Sequence, residues 1–450
     1  MAWEVDYGMM LFDMLGISSD YPALEENGAV TDYNVDYIAT GAIIIPTTSG
    51  GKVTEVRGGS GAISVASTTL NPVIVLNNVN RSGTTSQLQI SNPGNSTVVV
   101  LPDGTSNSFT CTGTSTTSGA VQSGIRCQGT EQIIIKGQFY NTGVLTAKGG
   151  AESPGIGGYY GTTACGTVRI YGGRVTATGG TSGAGIGGGY HVTGGTKVIS
   201  GKAVVTANGT GNAAGAGGGA GAYAGGTTSV RQNGTLNANS GNSNAAGAGG
   251  GGGSSAAGGG GGSVLVQDNG ILNAKSYSDG AGIGGGGSDG GAAGGGATVT
   301  ISGGITVATT GSARTNSRDI GAGVNNSNVT GAGGTTTITS GSVNPTKGRF
   351  NPRPTNGSAN GSNALYKTTV NVWDVKTSTP IAGATLTIQV TVSAGTYTYT
   401  ANTNASGLAY IWLPSGLTVT IVGTHPDYTS TGIATYTTVG SDAGTTGLGI

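Results

Sequence analysis

The sequence has little charge, few aromatic side chains and almost no histidine. Charged residues make up 8% of its 450 residues, aromatic residues make up 5%, there are two histidines, and the formal net charge is zero. Soluble domains usually carry about 25% charged residues, and nucleic-acid-binding domains usually carry a basic patch. The composition therefore argues against a nucleic-acid-binding protein and against a chain kept disordered by its own charge.

Cysteine and long apolar runs are also scarce. Three cysteines, Cys111, Cys127 and Cys165, are too few and too scattered to form a disulfide scaffold or a zinc site. Either Cys111 pairs with Cys127 and leaves Cys165 free, or all three are small buried apolar side chains. No run of 18 apolar residues occurs, so no membrane insertion is predicted. We predict neither a metal site nor a cofactor.

The first 20 residues lack the basic region with which a secretory signal begins. They contain Glu4, Asp6, Asp13 and Asp20 but no lysine or arginine. This pattern favours a protein that reaches the cell exterior without an export signal, as a virion protein does when the host lyses.

Glycine is what the sequence has in excess, with 93 residues. Average usage is about 7%, and glycine in a helix is less favourable than alanine by about 1 kcal/mol. A strict Gly-X-Y period, which collagen requires, does not run through the chain. The composition predicts an all-β protein with many tight turns and a core of small side chains.

The chain repeats itself from about residue 133 to residue 345. One repeated alanine, in the pattern Val-Thr-Ala, recurs at an interval of about 30 to 36 residues, and a glycine of the pattern Gly-Ala-Gly gives a second alignment. The alanines are Ala147, Ala177, Ala207, Ala238, Ala274 and Ala308, and the glycines are Gly155, Gly185, Gly217, Gly249, Gly282 and Gly323.

One repeat contains two short strands, at 168–170 and 175–177, followed by a glycine-rich corner and a third short strand near 183–189. A unit of this size cannot bury a core alone, but stacked units can, because each adds a rung to parallel sheets. The sequence therefore predicts a glycine-rich parallel β-helix, or β-solenoid. The run 247–262, which is nearly pure glycine, serine and alanine, is either an irregular excursion or a packed layer of extended glycine.

Changes in composition divide the chain into four parts. Residues 1–50 form an acidic N-terminal segment, and residues 51–345 form the β-solenoid, with the clear repeats starting near 133. Residues 346–364 follow Pro345 and contain two prolines and two Asn-Gly pairs, and they form a predicted linker. Residues 365–450 contain about seven alternating strands, as in an Ig-like β-sandwich.

The N-terminal segment is predicted to dock to a larger assembly. It contains eight acidic residues and no basic residue, and its apolar residues at the start recur with helical spacing over about 6–16. These residues form the predicted particle-docking set: Trp3, Tyr7, Met10, Leu11, Met14 and Leu15. The segment is a cap over the β-solenoid, a docking element for a larger assembly, or both.

Resemblances to known proteins extend these expectations. The run Val-Thr-Ala-Thr-Gly-Gly…Gly-Ala-Gly-Ile-Gly-Gly-Gly at 175–189 resembles the glycine-rich repeats of carbohydrate-binding domain-containing surface proteins of Firmicutes. The motifs at 380–388, 404–409 and 413–416 (Pro-Ile-Ala-Gly-Ala, Asn-Ala-Ser-Gly-Leu-Ala and Leu-Pro-Ser-Gly) resemble those of prealbumin-like, carboxypeptidase-regulatory-type β-sandwich modules. The overall order of parts resembles that of phage fibres, which combine an anchor, a repetitive shaft and Ig-like tips. Phage fibres are commonly homotrimers.

Catalytic motifs are not evident. The Gly-x-Gly-x-x-Gly pattern at 183–188 has no helix after it and recurs with the repeat, so it is predicted to be a structural corner. Asp279 and Asp289, beside a glycine run, give only a weak indication of a cation contact. Four tyrosines of the repeats are possible glycan contacts, and they are Tyr159, Tyr160, Tyr190 and Tyr223.

The sequence therefore predicts a non-enzymatic virion protein, such as a phage fibre, spike or capsid decoration, located on the virion surface. Residues 1–50 are predicted to bind other virion proteins. The exposed parts are predicted to bind a host surface glycan or protein. One alternative is an extracellular carbohydrate-binding protein attached to the bacterial cell surface, and a second is a tailspike that depolymerises polysaccharide.

Overall fold

A computed structural model describes residues 37–39, 43–45, 53–69, 71–161, 163–221, 223–346, 350, 353–355, 364–392, 395–429 and 431–450. These residues form 35 strands, and none of them lies in a helix, so none belongs to a helix that could span a membrane. The predicted helix at 6–16 and its docking residues Trp3, Tyr7, Met10, Leu11, Met14 and Leu15 lie outside the described residues.

The first eleven strands belong to the start of a β-solenoid. Six runs rich in valine and isoleucine (63–66, 73–76, 88–90, 98–101, 125–127 and 133–135) predict strands there, and each overlaps an observed one. The strands are β1 (Tyr37–Ala39), β2 (Ile43–Ile45), β3 (Val53–Arg57), β4 (Ile63–Val65), β5 (Val73–Asn77), β6 (Asn80–Gly83), β7 (Leu88–Ile90), β8 (Ser96–Leu101), β9 (Ser106–Cys111), β10 (Ile125–Arg126) and β11 (Gln132–Gly137).

The next seventeen strands come from the glycine-rich repeats. They are β12 (Val144–Lys148), β13 (Ile156–Gly158), β14 (Thr167–Ile170), β15 (Arg174–Thr178), β16 (Ile186–Gly188), β17 (Thr196–Ile199), β18 (Val204–Asn208), β19 (Ala216–Gly217), β20 (Thr227–Val230), β21 (Thr235–Asn239), β22 (Ala248–Gly249), β23 (Ser263–Gln267), β24 (Ile271–Lys275), β25 (Ile283–Gly284), β26 (Thr298–Thr309), β27 (Ile320–Gly321) and β28 (Thr335–Pro345).

The turns of the solenoid contribute strands to three faces, and the strands of neighbouring turns pair in parallel. Face 1 stacks β1, β3, β5, β8, β11, β14, β17, β20 and β23, and face 2 stacks β6, β9, β12, β15, β18, β21 and β24; the long strands β26 and β28 run through both. Face 3 is a ten-stranded sheet of very short strands, from β2 to β27. The predicted β-solenoid is therefore confirmed.

The repeated alanines stack directly above one another. The register pairs Ala147 with Ala177 and continues through Ala207, Ala238 and Ala274 to the last repeat. All of these alanines are buried, so the predicted alignment on the alanine is confirmed.

The second alignment, on glycine, is wrong in part. The structure places Gly215, not Gly217, in line with Gly185, because Ile186 pairs with Ala216. The same shift of two residues applies at Gly249, and Gly323 is displaced by four residues, because Ile320 is the partner of Ile283. A run that alternates glycine and alanine looks the same after a shift of two residues, which is the period of a strand.

The glycine-rich run 247–262 is a packed layer and not an irregular excursion. It contains β22, and its backbone N–H groups at Gly250, Gly252 and Gly261 donate to carbonyls of neighbouring chain segments at 2.7–2.9 Å. Hydrogen bonding of this kind satisfies a backbone that has few side chains to bury.

The last seven strands form a sandwich-like pair of sheets. One sheet has the order β32-β29-β35 and the other the order β31-β30-β33-β34. Seven strands agree with the number predicted for this region. They are β29 (Tyr366–Trp373), β30 (Thr385–Val392), β31 (Gly395–Asn402), β32 (Leu408–Leu413), β33 (Thr418–Thr424), β34 (Gly432–Thr437) and β35 (Gly444–Gly449).

This C-terminal module packs directly against the last turn of the solenoid. The indole N–H of Trp412 donates to the carbonyl of Val343 at 2.9 Å, and its ring lies 4.7 Å from that of Phe350. The backbone N–H of Tyr410 donates to Ser342 Oγ at 2.9 Å. Because the end of a β-solenoid is an open sheet edge and an open core, the module serves as its cap. Part of the predicted linker also pairs here, since Ile338 N–H donates to Thr355 O.

All three cysteines are buried and free. Of the two alternatives for Cys111, Cys127 and Cys165, the structure therefore favours small buried apolar side chains. Burial raises the pKa of the Cys165 thiol to about 11, which keeps it in the unreactive thiol form.

Candidate functional site: an aromatic ladder on one edge of the solenoid

Three of the four tyrosines proposed as glycan contacts come together on one edge. Tyr160 and Tyr190 follow β13 and β16 at the same position of successive turns, and Tyr223 follows β19 in the next turn. Parallel stacking brings them to the corner between face 3 and face 1. Tyr159 points elsewhere, because its ring lies 5.8 Å below the guanidinium of Arg126.

Four rings follow one another along this edge, and we call them the aromatic ladder: Tyr160, Tyr190, His191 and Tyr223. The centroids of Tyr160 and Tyr190 lie 5.3 Å apart with a tilted interplanar angle of 58°. The imidazole of His191 stacks on Tyr190 at 4.0 Å with an interplanar angle of 22°, and it lies 5.5 Å from Tyr223 at 29°. Offset stacking of this kind stabilises ring pairs beyond their burial alone.

The backbone holds the ladder in position. The N–H of Tyr190 donates to Glu152 O at 2.7 Å, and the N–H of His191 donates to Ala220 O at 3.0 Å. His191 has a φ of +61°, a left-handed conformation that non-glycine residues adopt only when neighbours impose it. Gly221 leaves room for the imidazole, since a Cβ there would stand 2.4 Å from its Cδ2 atom.

A carboxylate stands beside the ladder. Burial raises the pKa of Glu152, and the charge of His191 partly opposes this shift. Among the described residues, the buried Oε2 atom of Glu152 has no hydrogen-bond partner. A carboxyl oxygen in this state is an acceptor for a ligand hydroxyl.

The ladder is open to solvent along its length. Tyr160, Tyr190 and Tyr223 are half-buried and His191 is exposed. Each tyrosine offers an apolar ring and a polar hydroxyl, a combination suited to ligands with apolar and hydroxyl-bearing surfaces.

Sequence reasoning missed two residues of this site. His191 and Glu152 belong to different turns, and only the stacking of turns brings them together. A signal was present for His191, because Gly-Tyr-His at 189–191 occupies in its repeat the place that Tyr-Tyr-Gly occupies at 159–161.

A second group of buried charges lies inside the solenoid wall. Arg126 Nη2 lies 3.0 Å from Glu131 Oε1, and the N–H of Gln128 donates to Glu131 Oε2 at 2.8 Å. Burial raises the pKa of Glu131 to about 7, while the Gln128 N–H and Arg126 oppose the shift. Arg126 and Gln128 belong to the same corner as Glu131, so this group stabilises the corner.

Lys197 is buried at a position that Val168 and Thr228 occupy in the two neighbouring turns. Its ammonium donates to the carbonyls of Gly194, Gly195 and Gly225 at 2.9, 3.2 and 2.6 Å. These three carbonyls compensate for lost hydration. Burial still lowers the pKa of Lys197 to about 8.

We expect Lys197 to make the free energy of unfolding depend on pH in the alkaline range. Its folded-state pKa of about 8 lies below the ordinary value of 10.5, so the unfolded chain binds more protons between these pH values. The contribution of Lys197 to the free energy of unfolding should therefore rise with pH across this window, by about 3 kcal/mol. The buried Cys165 thiol, whose pKa is raised from 9.0 to about 11, contributes in the opposite sense above pH 9. Urea unfolding of the wild type and of Lys197→Met at pH 7.5–10.5 measures the difference.

In that experiment, the free energy of unfolding of the wild type should increase with pH relative to that of Lys197→Met. The exposed Lys202→Met provides the matched control and should follow the wild type. Parallel pH profiles for the wild type and Lys197→Met would contradict the argument.

No metal centre forms around the acidic residues singled out by the sequence. Within the described part of the chain, no group of three or more His, Cys, Asp or Glu side chains is placed to hold a metal ion.

Comparisons with protein-family models, with curated proteins and with solved structures find no match to this chain.

Proposed function

We propose that the protein is a non-enzymatic adhesive rod that binds a glycan along the aromatic ladder. One observation carries this proposal: three tyrosines separated by about thirty residues in sequence lie in one half-exposed row of ring contacts with His191, beside the carboxyl group of Glu152. A structural stack alone requires no free carboxyl oxygen beside it. A polyhydroxylated ligand uses both the rings and the carboxyl group.

The setting of this rod is a virion, as a phage fibre, spike or capsid decoration. A neutral, polar, stacked solenoid with a module fixed to its end is suited to display. The module is an Ig-like, prealbumin-like domain, residues 1–50 bind other virion proteins, and the chain is a homotrimer. Many copies on one particle strengthen weak glycan binding.

Removal of one ring tests the ladder. Tyr190→Ala should weaken binding to a neutral polysaccharide about tenfold, because a stacking contact contributes about 1 kcal/mol or more. Tyr190→Phe should bind nearly as well as the wild type, because it retains the ring. Binding is measured by calorimetry on a panel of soluble polysaccharides.

Tyr140→Ala is the matched control, because Tyr140 is exposed at a different corner beside Phe139. Equal loss in Tyr140→Ala and Tyr190→Ala would contradict a specific role for the ladder. Release of reducing ends would identify a depolymerase instead. Recovery of the protein in the bacterial cell wall, and not in purified particles, would favour the surface-protein alternative.

A further inference from the structure

A cleft lies further along the same edge of the solenoid. The hydrogen bond from Tyr190 N–H to Glu152 O has an equivalent in a later turn, from Val324 N–H to Asp279 O at 2.9 Å. Asp279 thus occupies in its turn the place of Glu152. Beside it opens a cavity of about 400 Å³. Its lining includes Tyr277, Asp279, Asp289, Ser312, Arg314 and Asn326.

The floor of the cleft is held rigidly by side-chain hydrogen bonds. Asp279 is only 5% exposed and accepts from Ser312 Oγ at 2.6 Å and from Arg314 Nε at 2.8 Å. Arg314 also donates from Nη1 to Asn326 O at 2.9 Å and from Nη2 to Asn326 Oδ1 at 2.8 Å. A rigid polar floor lowers the entropy lost on binding a ligand.

The rim offers an aromatic ring and a carboxylate. Tyr277 is 47% exposed, and Lys275 Nζ lies 4.2 Å from its ring centroid. Asp289 also lines the cleft, and it is exposed. The charges of Asp279, Asp289, Arg314 and Lys275 sum to zero, so the cleft favours a neutral ligand over an ion.

We infer that this cleft is a second carbohydrate subsite, which takes one neutral sugar residue. The sugar ring packs on Tyr277, and its hydroxyl groups donate to Asp289. The volume lies in the range of small-ligand sites, about 300–1,000 Å³. This inference rests on the proposed function, and it adds that one long glycan contacts both the ladder and the cleft along the same edge.

Two exposed side chains allow a test in the full chain. Tyr277→Ala and Asp289→Ala should each weaken binding of a long neutral polysaccharide three- to tenfold, with unchanged thermal unfolding. Tyr140→Ala is again the control. A double variant, Tyr190→Ala with Tyr277→Ala, should bind more weakly than either single variant, because the two subsites lie in different turns.

The outcomes separate this inference from the proposed function. If the wild type binds no glycan, both are overturned. If Tyr190→Ala weakens binding but Tyr277→Ala and Asp289→Ala do not, only the cleft is overturned. If Tyr277→Ala and Asp289→Ala weaken binding but Tyr190→Ala does not, the cleft stands and the ladder is overturned. If calorimetry with calcium chloride shows binding that Asp289→Ala abolishes while glycan binding is unaffected, the cleft is a cation site and the inference is wrong.

Discussion

Replacement of Gly187 by alanine is expected to lower the free energy of unfolding by about 3 kcal/mol or more, because overpacking and backbone strain act together. Gly187 has a φ of +141°, a conformation that side chains rarely allow. A Cβ there would stand 2.0 Å from Gly217 O, in the turn above. No flexible side chain can move aside, since the obstacle is backbone.

The effect reaches beyond a single residue because Gly187 belongs to a column. Gly157, Gly187, Gly217, Gly249 and Gly284 pair in register on face 3. In a solenoid each turn is stabilised by its neighbours, so one displaced turn weakens two interfaces. We therefore expect an earlier and less cooperative transition in chemical unfolding followed by circular dichroism.

Gly260→Ala is the matched control for this prediction. A Cβ at Gly260 would meet nothing within 4 Å, although the residue lies in the densest glycine run. Its stability should stay within about 0.5 kcal/mol of the wild type, as for exposed substitutions. Equal destabilisation by Gly187→Ala and Gly260→Ala would show that close approach in the column is not what requires glycine.

Trp412→Ala should destabilise the protein by about 3–5 kcal/mol, the usual cost of truncating a buried tryptophan. Trp412 is 1% exposed and joins the C-terminal module to the solenoid through the Val343 carbonyl and the ring of Phe350. Its loss leaves a cavity and an unpaired carbonyl where the last turn is capped.

A second consequence distinguishes loss of the cap from simple loss of core. An uncapped solenoid end presents free backbone groups that pair with other chains, so Trp412→Ala should also aggregate, as light scattering measures. Trp373→Ala is the control, because Trp373 is in the same module but 36% exposed. If both variants lose equal stability and neither aggregates, the cap is not the role of Trp412.

How much of the fold was predictable depended on the kind of residue. The alanine column was correctly aligned, because Val-Thr-Ala and its variants contain different side chains in a fixed order. The predicted alignment on the glycine of Gly-Ala-Gly was wrong at Gly217, Gly249 and Gly323, because glycine and alanine in alternation carry little information about register. Large, distinct side chains report register, and small ones do not.

The candidate site shows a similar division. Tyrosine in successive repeats was enough to select Tyr160, Tyr190 and Tyr223. It was not enough to show that Tyr159 lies outside the ladder, with its ring against Arg126, or to find Glu152. Which side of a corner a side chain takes depends on local φ, as at His191 and Glu152, both of which have positive values.

The repeat, the excess of glycine and the lack of charge by themselves determined that this protein is a stacked β-solenoid with a narrow core. Periodicity is a property of sequence, and parallel stacking follows from it. Only the tertiary structure decided which residues of different turns meet: the aromatic ladder, the carbonyls around Lys197, the cleft at Asp279 and the capping of the last turn by Trp412. These contacts depend on backbone angles at the corners and on the exact length of each turn, which vary between repeats and leave no periodic signal.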